Sequence, residues 1–284
     1  MPKSVELNPE DSPRALFAFE LRRYRKAAGL SQEQLGGRIG FSVPLISAVE
    51  TARRPPTREF AVAVDEALEL EGALIRLWPF AYHSATPTWF RPWLELEREA
   101  TVLHAWQPLV VPGLLQTEDY ARAIFLGEPR PTSDVVEEQV AARMVRQKIF
   151  DRPEPPMYWV ILDEGVLHRV VGSPETLIGQ LRRLEELART PHITIHILPY
   201  SSYVTAGLEG GFVMAQIPGG ADTVYIEAVG SGQLVERVEE VRLHRMRYEM
   251  LRAEALPGRS SIERIREIRE VHESQRRTQD SELD

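Results

Sequence analysis

The chain has 284 residues, 43% of them hydrophobic, which is enough to bury a core and to divide into two folded units. It contains no cysteine, which excludes a disulfide framework, a thiolate zinc site, an iron–sulfur cluster and a cysteine nucleophile. Met1 to Pro13 is polar and proline-punctuated, and no run is long and apolar enough to span a bilayer, so a soluble, cytoplasmic protein without membrane association is expected.

The net charge of −8 is unevenly spread. From Arg14 to Arg58, nine basic residues stand against three acidic ones, a local balance of +6 that leaves −14 on the rest. A basic N-terminal module on an acidic body suits contact with phosphates through one end only, although a chance cluster of surface arginines would look the same by charge alone.

In chain order, a flexible, polar tail (1–13) is expected to precede a first helix with apolar residues at Leu16, Phe17, Leu21 and Tyr24, ending on Gly29. Ser31 and Gln34 form a capping box for a second helix whose buried face is Leu35 and Ile39. Gly40 breaks it, Phe41 supplies an apolar turn residue, and Ser42 can cap a third helix with Leu45, Ile46 and Val49 buried. Thr57, after Pro55-Pro56, caps a fourth helix running through Phe60, Val62 and Val64 to Leu68 and Leu70. Trp78, Trp89, Trp93 and Trp106 then crowd a junction, and a domain boundary is expected near Ala81.

Beyond it, helices are predicted over Trp93–Trp106, Thr117–Phe125, Val135–Phe150, Pro174–Arg189 and Val235–Leu256. Strands are predicted at 157–164, 192–199, 211–218 and 223–229, where apolar and polar residues alternate between turn residues. After Pro257-Gly258, a charged helix carries Ile262, Ile265, Ile268 and Val271 on one narrow stripe, which can pack on a partner, on this chain, or on nothing. The expected division is therefore 14–80, 81–256, and a charged helix and tail over 257–284.

Reading sequence in the DNA major groove needs an element about one helix wide that offers short side chains to base edges, flanked by donors for phosphates. Residues 29–56 supply such a pattern. Leu30-Ser31-Gln32 opening the second helix, Gly36, the turn residue Gly40, the core residues Ile46 and Val49, and the ending Arg53-Arg54-Pro55-Pro56 resemble the XRE/Cro class that includes lambda repressor. The resemblance implies an all-α, lambda-repressor-like helix-turn-helix domain followed by a separate α/β (α+β) regulatory domain.

It further implies that Ser42, Val43, Pro44, Ser47 and Ala48 project toward bases, and that Gln32, Arg23, Lys26, Thr51, Arg53 and Arg54 are candidates for phosphates. These reading groups are small and mostly apolar, which favours thymine methyl contacts and DNA shape over arginine–guanine pairs. Val43 and Pro44 would also suit a mere helix start, and the arginines a solvated surface. Gly37 departs from the charged residue usual in the class, and nothing in the sequence accounts for it.

Over residues 85–255 the phrases VPGLLQTEDYARA, RMVRQKIF, DEGVLHRVVG and ITIHILPY resemble the C-terminal domain of a family of actinobacterial XRE-type regulators. Members often occur beside short partner proteins and are described as antitoxin-like, so the resemblance implies partner binding. Read residue by residue, Val111-Pro112-Gly113 is a tight turn and Thr117 a helix cap.

His192 and His196 would share one strand face about 13 Å apart, too far for one metal ion, and no third ligand is in sight. Asp163, Glu164 and His168 are the one cluster that could serve acid–base chemistry, although two acids at a helix start are usually a cap. Trp89, Phe90, Trp93 and Trp106 can line an apolar effector pocket or simply build a core. The expectation is a non-enzymatic regulator without cofactor or metal, binding double-stranded DNA as a homodimer and answering to a small molecule or a small partner protein.

Overall fold

The computed structural model describes residues 8–10, 12–82, 89–129 and 131–283. The chain divides into two compact units, residues 1–87 with 132–142, and residues 88–131 with 143–284. The division falls a few residues beyond Ala81, and it assigns a piece from the middle of the chain to the first unit.

The first unit holds α1 (Pro13–Ala27), α2 (Gln32–Ile39), α3 (Val43–Glu50), α4 (Arg58–Leu68) and α5 (Ala73–Tyr82). Ser12, Ser31 and Thr57 accept backbone N–H bonds at the starts of α1, α2 and α4, satisfying donors that have no partner within the helix. Phe17, Leu21, Leu35, Ile46, Phe60 and Leu74 form a core with no exposed surface, and Phe41 meets Phe60 edge-to-face at 5.3 Å.

The start of α5 is held by a side chain from another helix. The buried Asp65 carboxylate on α4 accepts the N–H groups of Leu74 and Ile75 at 3.0 and 2.7 Å and starts the helix from a distance.

The second unit is built on one six-stranded sheet, with β1 (Val102–Gln107), β2 (Met157–Asp163), β3 (Ile193–Leu198), β4 (Phe212–Gln216), β5 (Thr223–Ala228) and β6 (Ser231–Val235). Their order is β3-β2-β1-β4-β5-β6. Strands β1, β2 and β3 run parallel, and β4, β5 and β6 add on antiparallel.

The helices of this unit are α6 (Arg91–Glu99), α7 (Glu118–Leu126), α9 (Glu164–His168), α10 (Pro174–Leu187), α11 (Val238–Glu254) and α12 (Gly258–Leu283), while α8 (Ser133–Gln147) has residues 133–142 in the first unit and only its end in this one. Alternation along the strands splits the side chains into two cores. Leu103, Val160, Ile195 and Ala215 belong to one, with Trp93, Leu181 and Ile265 from helices. Trp106, Ile161, Leu198, Met214 and Val224 belong to the other, closed by Val241, Tyr248 and Leu251 of α11.

Two predicted helices begin or end differently. The segment Trp93–Trp106 is not one helix: α6 stops at Glu99, and Trp106 lies on β1, the strand between β2 and β4. A strand buried on both faces loses the polar–apolar alternation that marks strands in sequence, so LHAWQ gave no strand signal. Val235 ends β6 opposite Val224 rather than opening a helix, and α11 starts at Val238. The strand β6 itself, SGQLV, was not expected.

The C-terminal stripe packs on its own chain: Ile265 and Ile268 enter the first of the two cores, Ile262 is half-buried and Val271 exposed. Buried Ser261 locks α12 to the sheet, its hydroxyl accepting from the Ile197 N–H at 3.0 Å and donating to the Leu256 carbonyl at 2.9 Å. The loop VPGLLQT is likewise a scaffold. Buried Gln180 takes the Thr117 N–H and donates to the Leu115 carbonyl, while Gln116 donates to Val111 O and accepts from Arg143.

Candidate nucleic-acid interface

The turn between α2 and α3 is set by glycine. A Cβ at Gly36 would stand 2.7 Å from the Phe41 carbonyl oxygen and 3.3 Å from Ile46 Cδ1, so any larger residue would push α3 away. Gly40 closes α2 at φ 72°, in the left-handed region.

Ser42 then occupies the cap position of α3, but its hydroxyl makes no cap bond. The second helical residue is Pro44, which has no N–H to offer. The hydroxyl is left on an exposed side chain beside exposed Val43 and Pro44, at the start of the helix. Ser47 and Ala48, one turn on, are half-buried.

The end of α3 is pinned as well. Ala52 adopts a positive φ of 57°, and the N–H groups of Arg53 and Arg54 both return to the Ala48 carbonyl, at 2.9 and 3.2 Å. Their backbone is fixed while both side chains remain exposed.

Thr51 is occupied otherwise. Its hydroxyl donates to Ser47 O at 2.6 Å and accepts from Arg53 Nε at 3.0 Å, so it has no proton left for a phosphate. Lys26 is exposed, and Arg23 pairs with Glu20 at 2.5 Å and lies 4.7 Å over the Tyr24 ring.

What holds α3 in place was not legible as a site. Glu50 has no exposed surface, and its carboxylate takes Arg25 through two bonds, Nε at 2.5 Å and a terminal nitrogen at 2.8 Å. Arg25 also donates to the Leu30 carbonyl, Arg22 to the Glu50 carbonyl, and Gln32 to Glu50 Oε2 at 2.8 Å. One carboxylate thus ties the end of α1, the start of α2 and the end of α3.

The bond to Glu50 raises the Arg25 pKa above its ordinary value, outweighing the cost of burial. Gln32, expected on a phosphate, has its side-chain amide turned to Glu50 instead. The signal that could have found Glu50 is its position four residues after Ile46, on the core face of α3.

In the second unit the predicted groups do not assemble. Trp93 stacks on Tyr225 at 5.4 Å and Phe90 meets the same ring edge-on at 5.3 Å, on one face of the sheet. Trp106 belongs to the core on the other face, its indole N–H bonded to Gly207 O, and Trp89 is partly exposed. The four aromatics therefore line no common pocket, because the strand placement of Trp106 turns it away.

Asp163 caps α9 through the Gly165 N–H. Glu164 is buried, with the Tyr200 N–H on one oxygen and Arg264 on the other; burial opposes ionisation, but these bonds hold its pKa below the ordinary carboxylate value. His168 Nε2 stands 3.7 Å from it. His192 tilts against Phe150 and His196 bonds the Leu256 carbonyl, so the two histidines serve different neighbours. Among the described residues no group of three metal-ligating side chains occurs, and no helix is long and apolar enough to cross a membrane.

Two short helices about a glycine turn, the second offering its start to solvent, define a DNA-binding regulator of the helix-turn-helix class. Residues 16–78 match the family described as Helix-turn-helix domain. Residues 90–267 match the family described as Domain of unknown function (DUF5753), and the chain belongs to it. That match runs into α12. No curated protein and no solved structure matches the chain.

Proposed function

We propose that the protein is a sequence-specific transcriptional regulator of the XRE/Cro type that binds a palindromic operator as a homodimer. Two copies of α3 would enter successive major grooves about 34 Å apart. The observation that carries the reading is the exposed start of α3, where Ser42, Val43 and Pro44 stand clear of the core while Arg53 and Arg54 extend from a pinned backbone. Small apolar groups and one hydroxyl favour thymine methyls and groove shape; the two arginines supply charge for phosphates.

The DUF5753 unit then serves dimerisation and the reception of a small molecule or protein partner. The saturated carboxylate of Glu164 supports a structural rather than an enzymatic role for the Asp163–Glu164–His168 cluster. A second reading, an antitoxin-like protein that chiefly holds a small partner and binds DNA for autoregulation, is favoured by the exposed stripe Leu243, Met246 and Met250 along α11.

Gel shifts of the purified chain on its own upstream region test the first reading. A retarded dimeric complex that weakens steeply with salt is expected, and no binding to any genomic fragment at low salt would sink it. Copurification of one stoichiometric small polypeptide from the native host would favour the second.

A further inference from the structure

On the face of the sheet covered by α11 lies a cavity of about 320 Å³. His104 on β1, Trp159 on β2, Met214 on β4 and Tyr248 on α11 line it, with Gln216 at the end of β4. His104 is only 9% exposed. Its ring meets those of Trp159 and Tyr248 at near right angles, each at 4.9 Å.

Among the described residues neither ring nitrogen of His104 has a hydrogen-bond partner, and neither is sealed off as Tyr225 Oη and His272 Nε2 are. A buried imidazole without a protein partner is costly, and one that lines a cavity is most simply satisfied by what the cavity holds. Burial, and after it the positive charge of Arg245, keeps its pKa below 6.5, so at neutral pH one nitrogen donates and the other accepts. The Gln216 side chain, half-buried, is also without a protein partner among the described residues.

The charges around the cavity cancel in pairs. Arg245 is bonded to Asp222, and Glu249 lies 2.9 Å from Arg252. A ligand ion entering here would lose hydration and find no uncompensated partner. A flat apolar body, by contrast, would meet an indole, a phenol ring and a thioether.

We propose that this cavity takes a small, uncharged, planar molecule of one or two rings that both donates and accepts a hydrogen bond, seated against Trp159 and Tyr248 and read by His104 and Gln216. That its occupant is the signal for DNA binding rests on the regulatory reading above.

Benzimidazole is a suitable probe, titrated into the full chain without DNA and followed by calorimetry and ligand-observed NMR. Saturable one-to-one binding in the micromolar to millimolar range is expected, with benzoate and benzamidinium weaker by about tenfold or more. His104→Phe keeps the ring and removes both nitrogens, and should weaken benzimidazole by about tenfold. Should His104→Phe fail to fold by circular dichroism, Gln216→Leu replaces it, with a loss of about fivefold expected.

No saturable binding at millimolar probe, a preference for either ion, or affinity unchanged in the folded variant would each overturn the proposal. Since no DNA is present, that failure leaves the DNA-binding reading untouched, just as a failed gel shift leaves the cavity untouched. Benzimidazole that binds without altering DNA affinity would overturn only the signalling role.

Discussion

The two units place their candidate recognition groups differently, although each pairs its buried carboxylates. In the helix-turn-helix unit the buried charge is fully paired: Glu50 takes Arg25 bidentately and Gln32 besides, and the candidate reading groups lie outside on α3. In the sheet unit, one buried group without a partner among the described residues, His104, lines a cavity. A reader of DNA brings its groups to a surface and needs them held rigidly, whereas a receptor for a small molecule must enclose it and leave donors unmade until the ligand arrives.

The largest expected effect breaks the first half of that contrast. Glu50→Ala leaves Arg25 buried without a counter-charge and should cost about 3–5 kcal/mol of stability, measured by urea unfolding. Glu164→Ala offers the comparison, since Arg264 is 40% exposed and can return to water, so that only about 1–3 kcal/mol is expected. Equal losses at the two sites would show that the Arg25–Glu50 pair is no more isolated from solvent than the other.

Gly36→Val comes next. Its Cβ would collide with the Phe41 carbonyl, and DNA affinity should fall by more than about tenfold in gel shifts while the variant unfolds earlier.

Arg53→Ala should weaken all DNA sequences alike and reduce the slope of log affinity against log salt by about 1, while Ser47→Arg should change the preferred sequence instead. A sequence-selective effect of Arg53→Ala would move that residue from phosphate to base.

The smallest effect is in pH. The unfolded His104 imidazole takes up a proton near 6.5 and the folded one only lower, so between those values the unfolded chain binds more protons and stability falls as pH drops below 6.5. Glu164 acts in a separate window: its folded pKa lies below 4.5, and its contribution, present above 4.5, is lost as the pH falls further. His104→Phe should flatten the first decline, partly, because His272 is shifted in the same direction by burial. The second decline should remain.

Where bonds are local, the sequence alone determined the outcome. The Ser31–Gln34 box, the cap at Thr57, the glycine turn at 40 and the apolar spacing of α1 to α4 depend on neighbours within a few residues, so their pattern is written in order along the chain. The same holds for β2, β3, β4 and β5, whose β-rich composition is visible in any window.

Only tertiary structure decided the rest. α5 starts on a carboxylate from α4, β1 has lost its alternation through burial on both faces, and β6 is a strand because β5 lies beside it. The Arg25–Glu50 bond joins residues 25 positions apart, and the four walls of the His104 cavity come from three strands and a helix spread over more than half the chain. Each depends on which distant groups exclude water together, and a pattern read along the chain contains no term for that.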